Sequence, residues 1–266
     1  MAKITDFYEI QRGEVHLGPY AVGTQRPAYF DWVGNAPAVS LNIEREVVDH
    51  YASYDRDRNK DFSVETMTNL TGTLTTDTIS PANLAKAFGD GTSNSSTVTQ
   101  TAITGHTETF TVAKQGVFLQ IGLSEQNDAG YRNISNVVIT KDDGGSTVTF
   151  EQFVDYDVRA DSGMIEVLEG GAIEAGDVIS VTADVAASTF TRVITQTASF
   201  RGAFKFITLN RTGQDKVYFA PRVVLRPSGD INLITENEFA QLTFNLSFEK
   251  VPGKPLMYVD NKPFNG

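Results

Sequence analysis

Two distant stretches of the chain alternate apolar and polar residues with a period of two. Residues 240–248 place Ala, Leu, Phe, Leu and Phe at even positions, with polar residues between them, and residues 39–47 follow a similar pattern. Successive side chains of a β-strand point to opposite faces, so this period is typical of a strand with one buried and one wet face. The sequence therefore predicts an all-β fold, to which only one short helix is added.

A third alternating stretch, residues 62–74, predicts the antiparallel partner of residues 39–47. The segment between them, residues 49–61, is too charged for a core and longer than a tight hairpin needs. We expect this segment to project from the sheet as a loop. The helix is predicted just after the third stretch, because Ser80 is a good N-cap and Gly89 can end the helix.

The composition changes after the predicted helix. Residues 89–105 are rich in Gly, Ser, Thr and Asn, which is typical of a flexible connection and predicts a domain boundary. Short β-like runs separated by turn signals follow, and they predict a small Ig-like β-sandwich over residues 104–187. We expect this sandwich to be inserted in a discontinuous β domain formed by residues 1–100 and 188–266.

The C-terminal part of the discontinuous domain is also predicted to form strands. Long strands are predicted over residues 190–209 and 216–225, and a short apolar run at 231–234 precedes the alternating stretch described first. The chain ends in a Pro-rich segment that we expect to form an extended tail.

Charge and composition exclude several classes of protein. A formal net charge of −11 and a pI of about 4.7 disfavour tight binding to DNA or RNA. There is no cysteine, which excludes disulfides and thiolate chemistry. The first residues contain no apolar run of signal-peptide length and no 18 consecutive residues are apolar, so we expect no membrane partner and a chain that stays in the cytoplasm where it is made.

The best metal candidate fails on its own geometry. The oxygen-bearing side chains that alternate from Asp55 to Asp61 match the opening of a calcium loop. However, Lys60 stands where the sharp turn needs Gly, and Thr66 stands where a bidentate Glu is needed. Neutralisation by the interleaved basic residues is the better interpretation, and no metal is predicted.

The sequence predicts no catalytic residue and no cofactor. None of the histidines, His16, His50 and His106, has the spacing of a zinc site or of a paired acid and base. Carboxylates two apart, as in Glu44 with Glu46 and Asp155 with Asp157, would share a face and keep a glycosidase as a minor hypothesis. Solvated strand faces look the same and are far commoner, so we expect that the chain is not an enzyme.

The order of elements resembles that of the major tail tube proteins of siphophages. The stretch Phe30-Asp31-Trp32-Val33-Gly34-Asn35-Ala36-Pro37 leads to a strand, then to a charged loop, a Thr-rich strand at 62–76 and a short helix at 80–89. Residues 217–223 and 226–230 look like the closing strands of the same family. The middle segment is similar to small β inserts of phage structural proteins.

The resemblance implies a tail-tube-type β-sandwich or barrel domain that contributes to an inter-subunit barrel. Such subunits form rings, usually of six copies, which stack into a tube through which DNA leaves the capsid without specific binding. The implied partners are other copies of the chain, and the tape measure, tail terminator and distal tail or baseplate proteins. The implied location is the virion tail, after the host cytoplasm.

By analogy, two groups of residues become candidates for assembly and for the channel. The charged loop is expected to contact the adjacent ring through Tyr54, Asp55, Arg56, Asp57, Arg58, Lys60 and Asp61. The N-terminal segment and the Pro-rich tail are expected to form further contacts between subunits. One polar strand face is expected to line the channel, although an ordinary solvent face is an equal alternative. The candidates are either Ser40, Asn42, Glu44 and Glu46, or Gln241, Thr243 and Asn245.

A second class of function stays open. The inserted domain carries Phe150, Phe153 and Tyr156, and exposed aromatics would suit a carbohydrate-binding or adhesion module of a phage or bacterial surface. Aromatic residues more often form a core. Glycan binding by the inserted segment would favour adhesion, whereas rings or tubes in electron micrographs would favour the tail tube.

Overall fold

The structure, a computed structural model, describes residues 9–54, 56–211 and 214–261. It confirms the predicted all-β fold with one α-helix. The chain divides into two compact units, the first formed by residues 1–96 and 192–266 and the second by residues 97–191. We describe each unit separately.

One antiparallel sheet of eight strands forms the first unit. The elements of this unit are β1 (Gly13–Pro19), β2 (Asp31–Trp32), β3 (Ala38–Tyr51), β4 (Lys60–Thr76), α1 (Pro81–Phe88), β14 (Arg201–Thr208), β15 (Lys216–Pro227), β16 (Leu242–Phe248) and β17 (Tyr258–Asn261). The order of the strands in the sheet is β2-β1-β14-β15-β16-β4-β3, and β17 pairs with β15 on the same side as β16.

The alternating stretch that opened the sequence analysis becomes a strand with one buried face. Leu242, Phe244 and Leu246 of β16 are buried, while the residues between them are exposed or half-buried. They join a core that includes Leu74 of β4 and Phe204 of β14. Full burial of each such side chain contributes about 1.5–3 kcal/mol to folding stability. Burial of this face therefore holds β16 against the core.

The predicted helix is confirmed, with the predicted cap. The Ser80 hydroxyl accepts a hydrogen bond from the Asn83 backbone N–H at 3.2 Å, and Pro81 occupies the first turn. The buried Asn83 side chain donates to the carbonyls of Val33 at 2.7 Å and Thr78 at 2.8 Å. The bond to Val33 ties the helix to the segment that leads into β3.

The prediction of a flexible connection over residues 89–105 is wrong, because much of this segment forms strands. Residues 95–100 form β5 (Ser95–Gln100), which pairs with β13 (Ser188–Val193) in a two-stranded sheet. Before β5, the buried Asn94 donates to the carbonyls of Ala85 at 2.8 Å and Ile194 at 3.1 Å. Small polar residues make such side chain–backbone bonds in ordered turns, and composition alone does not distinguish them from a loose linker.

One further prediction is corrected near the C-terminus. The long strand expected over residues 190–209 is split into β13 and β14, because the Ile194 and Gln196 N–H groups donate to the carbonyls of Asn94 at 2.9 Å and Phe88 at 2.7 Å. Within the predicted extended tail, residues 258–261 form β17, which pairs with β15 of the same chain.

Two sheets share one core in the second unit. A four-stranded sheet has the order β6-β12-β8-β9, and a three-stranded sheet has the order β10-β11-β7. Ile139 and Ile179 from the first sheet and Ile165 from the second are fully buried in the same cluster, which is the arrangement of a β-sandwich. The strands are β6 (Ile103–Thr111), β7 (Phe118–Gln120), β8 (Ile134–Asp143), β9 (Ser146–Thr149), β10 (Tyr156–Arg159), β11 (Met164–Val167) and β12 (Val178–Val185).

Candidate functional site

The strand register of the first unit places the polar side chains of both candidate channel strands, β3 and β16, on one face of the sheet. Ser40 of β3 lies opposite Thr73 of β4, Thr73 lies opposite Asn245 of β16, and Asn245 lies opposite Arg226 of β15. Directly opposite residues of antiparallel strands point to the same side. A single row of polar side chains therefore crosses four strands.

Neighbouring rows extend this surface and are joined by hydroxyl contacts. The Ser40 and Thr73 hydroxyl oxygens are 2.7 Å apart, and those of Thr75 and Thr243 are 3.2 Å apart. The rows border an open hollow of about 470 Å³. We call this surface the polar face; it consists of Ser40, Asn42, Glu44, Thr71, Thr73, Thr75, Arg226, Thr243, Asn245 and Ser247.

Two of the seven candidate channel residues fall outside the polar face. Gln241 is exposed but precedes the first residue of β16. Glu46 is exposed and follows Glu44 on the same side of β3, but it lies at the register shift in the β3–β4 pairing, where the row of the polar face ends. Glu44 stays on the face, where its carboxylate accepts a hydrogen bond from the Asn42 amide at 2.9 Å.

Neutral hydroxyl and amide groups dominate the polar face. Its charged side chains are Glu44 and Arg226, which have opposite signs. Binding of a nucleic acid backbone depends on Lys and Arg that displace condensed counterions, and each contact adds to the salt dependence. A face with one cation and one anion offers a wet surface along which a polyanion is neither held nor strongly repelled.

Past the end of β16, β3 and β4 continue as a two-stranded hairpin, and Glu44 of the polar face lies at its base. Pairing between β4 and β16 covers residues 71–76, and the rest of β4 pairs with β3 alone. We call residues 43–69 the arm. All residues of β3 and β4 within the arm are exposed, so the arm has no buried face.

The arm shortens the predicted loop. The strands extend to Tyr51 and resume at Lys60, so the loop covers residues 52–59 and the predicted contact residues Lys60 and Asp61 lie on β4. Cross-strand contacts account for this extension: Lys60 Nζ lies 2.6 Å from Asp49 Oδ1, and His50 Nδ1 lies 2.6 Å from Asp61 Oδ1.

The remaining predicted contact residues lie at the tip of the arm. Tyr54, Arg56, Asp57 and Arg58 are exposed there, and Asp55 falls outside the described residues. At the base of the loop, the ammonium of Lys60 and then the hydroxyl of Ser63 hold the pKa of Asp49 below its usual value.

The arm also exposes large apolar side chains on both faces. Val48 and Val64 lie directly opposite each other, and both are exposed. An isolated two-stranded hairpin is at best marginally stable in water, and contiguous exposed apolar patches mark interaction surfaces. The exposed apolar residues of the arm are Ile43, Val47, Val48, Tyr51, Phe62, Val64 and Met67.

The three aromatic residues named for an adhesion module do not share one exposed surface in the second unit. Phe150 and Tyr156 are buried in the core, whereas Phe153 is 75% exposed. The carboxylate oxygens of the buried Asp155 accept hydrogen bonds from the N–H groups of Glu151 at 2.8 Å and Ala172 at 2.7 Å. Asp155 therefore holds two loops together.

The histidines lie on three different strands, and each is close to a carboxylate. His16 Nε2 is 3.2 Å from Glu14, His50 Nδ1 is 2.6 Å from Asp61, and His106 Nε2 is 3.6 Å from Glu108. Within residues 9–54, 56–211 and 214–261, no three acidic or histidine side chains gather as a metal site would require. In the same ranges, no helix combines the length and hydropathy needed to cross a membrane.

Comparison with known proteins places the chain in one family. Residues 8–256 match a family described as "Protein of unknown function UCP028589", and the chain belongs to this family. No curated protein matches the chain.

Proposed function

We propose that this chain is the structural subunit of the tail tube of a siphophage, and that it assembles with itself into stacked hexameric rings around a channel for DNA. The arm is the observation that carries this proposal. It continues the sheet as two strands with both faces exposed, and it carries apolar side chains on each face. A neighbouring copy of the chain would cover these exposed apolar side chains.

The position of the arm suits closure of a ring. β3 is the last strand in the sheet order, so its outer backbone groups border the sheet. Long edge strands tend to pair without control, and pairing them in a closed ring removes the edges. Each Val, Ile or Phe side chain that becomes fully buried adds about 1.5–3 kcal/mol, so several residues of the arm supply enough driving force for assembly.

The polar face would then line the channel. Two of its four strands, β3 and β4, continue into the arm, and its hydroxyl and amide groups keep water at the surface. With Glu44 and Arg226 as its charged groups, the face gives DNA no row of cations to bind. The proposed partners at the ends and in the lumen of the tube are the tail terminator, distal tail or baseplate and tape measure proteins.

Electron microscopy of the concentrated wild-type protein and of a variant of the arm tests this function. The variant Ile43→Thr/Val48→Thr/Val64→Thr keeps β-branched side chains at exposed positions, so the folding stability should change by less than about 0.5 kcal/mol per site. Loss of apolar contact should abolish rings and tubes. Val22→Thr is the matched control, since Val22 is fully exposed outside the arm.

The expected result is tubes for the wild type and for the control, and monomers with unchanged circular dichroism for the arm variant. Wild-type protein that stays monomeric at every concentration would refute the proposed function. Tubes of normal appearance from the arm variant would show that the arm does not carry the assembly.

A further inference from the structure

A loop between β15 and β16 exposes three large apolar side chains. Leu233, Ile234 and Phe239 are 89%, 90% and 86% exposed. Glu236 and Glu238 lie between them in the sequence and are also exposed. We call residues 233–239 the acidic loop. Scattered exposed apolar residues are ordinary, but three at nearly full exposure within seven residues form a surface suited to contact.

A cavity of about 410 Å³ lies elsewhere on the first unit. Lys205 of β14 lies opposite Phe219 of β15, and Phe219 lies opposite Tyr258 of β17, so these three side chains form a row on one face. Lys205 Nζ lies 5.6 Å from the centre of the Phe30 ring. We call this the lysine cavity; its lining residues are Phe30, Lys205, Val217, Phe219, Lys254, Tyr258 and Asp260.

The acidic loop and the lysine cavity are complementary in charge and in apolar character. The cavity offers two ammonium groups and one carboxylate beside aromatic walls, whereas the loop offers two carboxylates beside Leu, Ile and Phe. The lining of the cavity is net positive, although the chain as a whole has a net charge of −11. Complementary charges of this kind set the specificity and the rate of association.

The two surfaces lie at opposite ends of β15. The cavity contacts the strand at Val217 and Phe219, whereas the loop follows Pro227 at the other end. The eight residue steps from Phe219 to Pro227 correspond to roughly 26 Å, at about 3.3 Å per residue. Because the loop side chains are almost fully exposed, the loop does not fill the cavity of its own chain.

We propose that the acidic loop of one copy docks into the lysine cavity of a second copy. The contact joins two different patches, so it is head-to-tail and can repeat from copy to copy. Because the two patches lie at opposite ends of β15, the contact would join copies along that strand, as between successive layers of a stack. The inference deepens the proposed function, on which it rests for the identity of the partner as a second copy of the chain.

Charge reversal on each side tests the contact. One variant reverses the loop (Glu236→Lys/Glu238→Lys), and the other reverses the cavity (Lys205→Glu/Lys254→Glu). Each variant alone should raise the protein concentration needed for tube formation at least tenfold, measured by sedimentation velocity and electron microscopy. A 1:1 mixture of the two should restore tubes, because every contact in an alternating stack then joins opposite charges.

A charge-matched control and an alternative cavity variant accompany this test. Glu125→Lys/Asp128→Lys gives the same charge change as the loop variant at exposed sites of the second unit, and it should leave the critical concentration unchanged. If the cavity variant does not fold because Lys205 packs on Phe30, Lys254→Glu alone replaces it, since Lys254 is exposed.

The contact and the proposed function fail in different ways. Normal tubes from the loop variant would overturn the contact and leave the tail-tube function standing. Failure of the mixture to recover would also overturn the contact, because the lost assembly would then have another cause. A wild-type chain that forms neither rings nor tubes would instead refute the proposed function.

Discussion

Replacement of the buried Lys86 by methionine should make the first unit more stable at neutral pH. Lys86 lies on α1, and its side chain is 3% exposed. Its ammonium donates to the carbonyl of Ala82 at 3.3 Å and lies 3.7 Å from a carboxylate oxygen of Asp31, a side chain that is itself 40% exposed. These contacts compensate only part of the cost of removing the charge from water.

Burial lowers the pKa of Lys86 below its usual 10.5, and the nearby Asp31 opposes this shift only in part. Replacement of a buried charged group by an apolar residue of similar volume is often neutral or stabilising by about 1–4 kcal/mol, and a methionine of similar length keeps the packing, so Lys86→Met should gain about 1 kcal/mol at pH 7. The unfolded chain binds more protons than the folded one between the two pKa values, so the penalty on the wild type disappears as the pH rises towards 10.5. The gain of the variant should therefore shrink over that range.

Urea unfolding followed by the fluorescence of Trp32 measures this difference, because Trp32 is the single tryptophan and lies in the same unit next to Asp31. Comparison of the wild type with Lys86→Met cancels the other groups that titrate at high pH. A variant that is less stable than the wild type at pH 7, or a difference that stays constant up to pH 10.5, would refute the reasoning.

The remaining predictions concern the second unit. The hydrogen bond from Lys141, and then one from the Glu174 N–H, lowers the pKa of Asp177 below 3.8, so Asp177 stabilises the fold above that pH and the contribution is lost on acidification. Asp177→Asn should flatten the acid limb of thermal unfolding. Gly163→Ala should cost more than about 2 kcal/mol, since its Cβ would overlap the Tyr131 carbonyl at φ +71°, whereas Gly176→Ala, at φ +89° in open space, should cost about 1 kcal/mol in the same melts.

Local sequence patterns were sufficient to predict those elements that depend on their own side chains or on bonds between neighbours in the chain. The period of residues 240–248 predicts β16 and its buried face, because an apolar strand face needs a core wherever the strand lies. The cap at Ser80 predicts the start of α1, because it depends on a bond between neighbours in the chain. The split of residues 190–209 could not be predicted, since it depends on carbonyls of Phe88 and Asn94 far away in the sequence.

The candidate site also combines features that the sequence predicts with features that only the tertiary structure decides. The sequence by itself determined that Ser40 and Asn42 share one face of their strand and that Thr243 and Asn245 share one face of theirs, because side chains alternate along every strand. Only the tertiary structure decided that these are the same face, through the register that places β4 between β3 and β16. Strand pairing depends on long-range contacts, and a one-residue slip would turn either row to the opposite side.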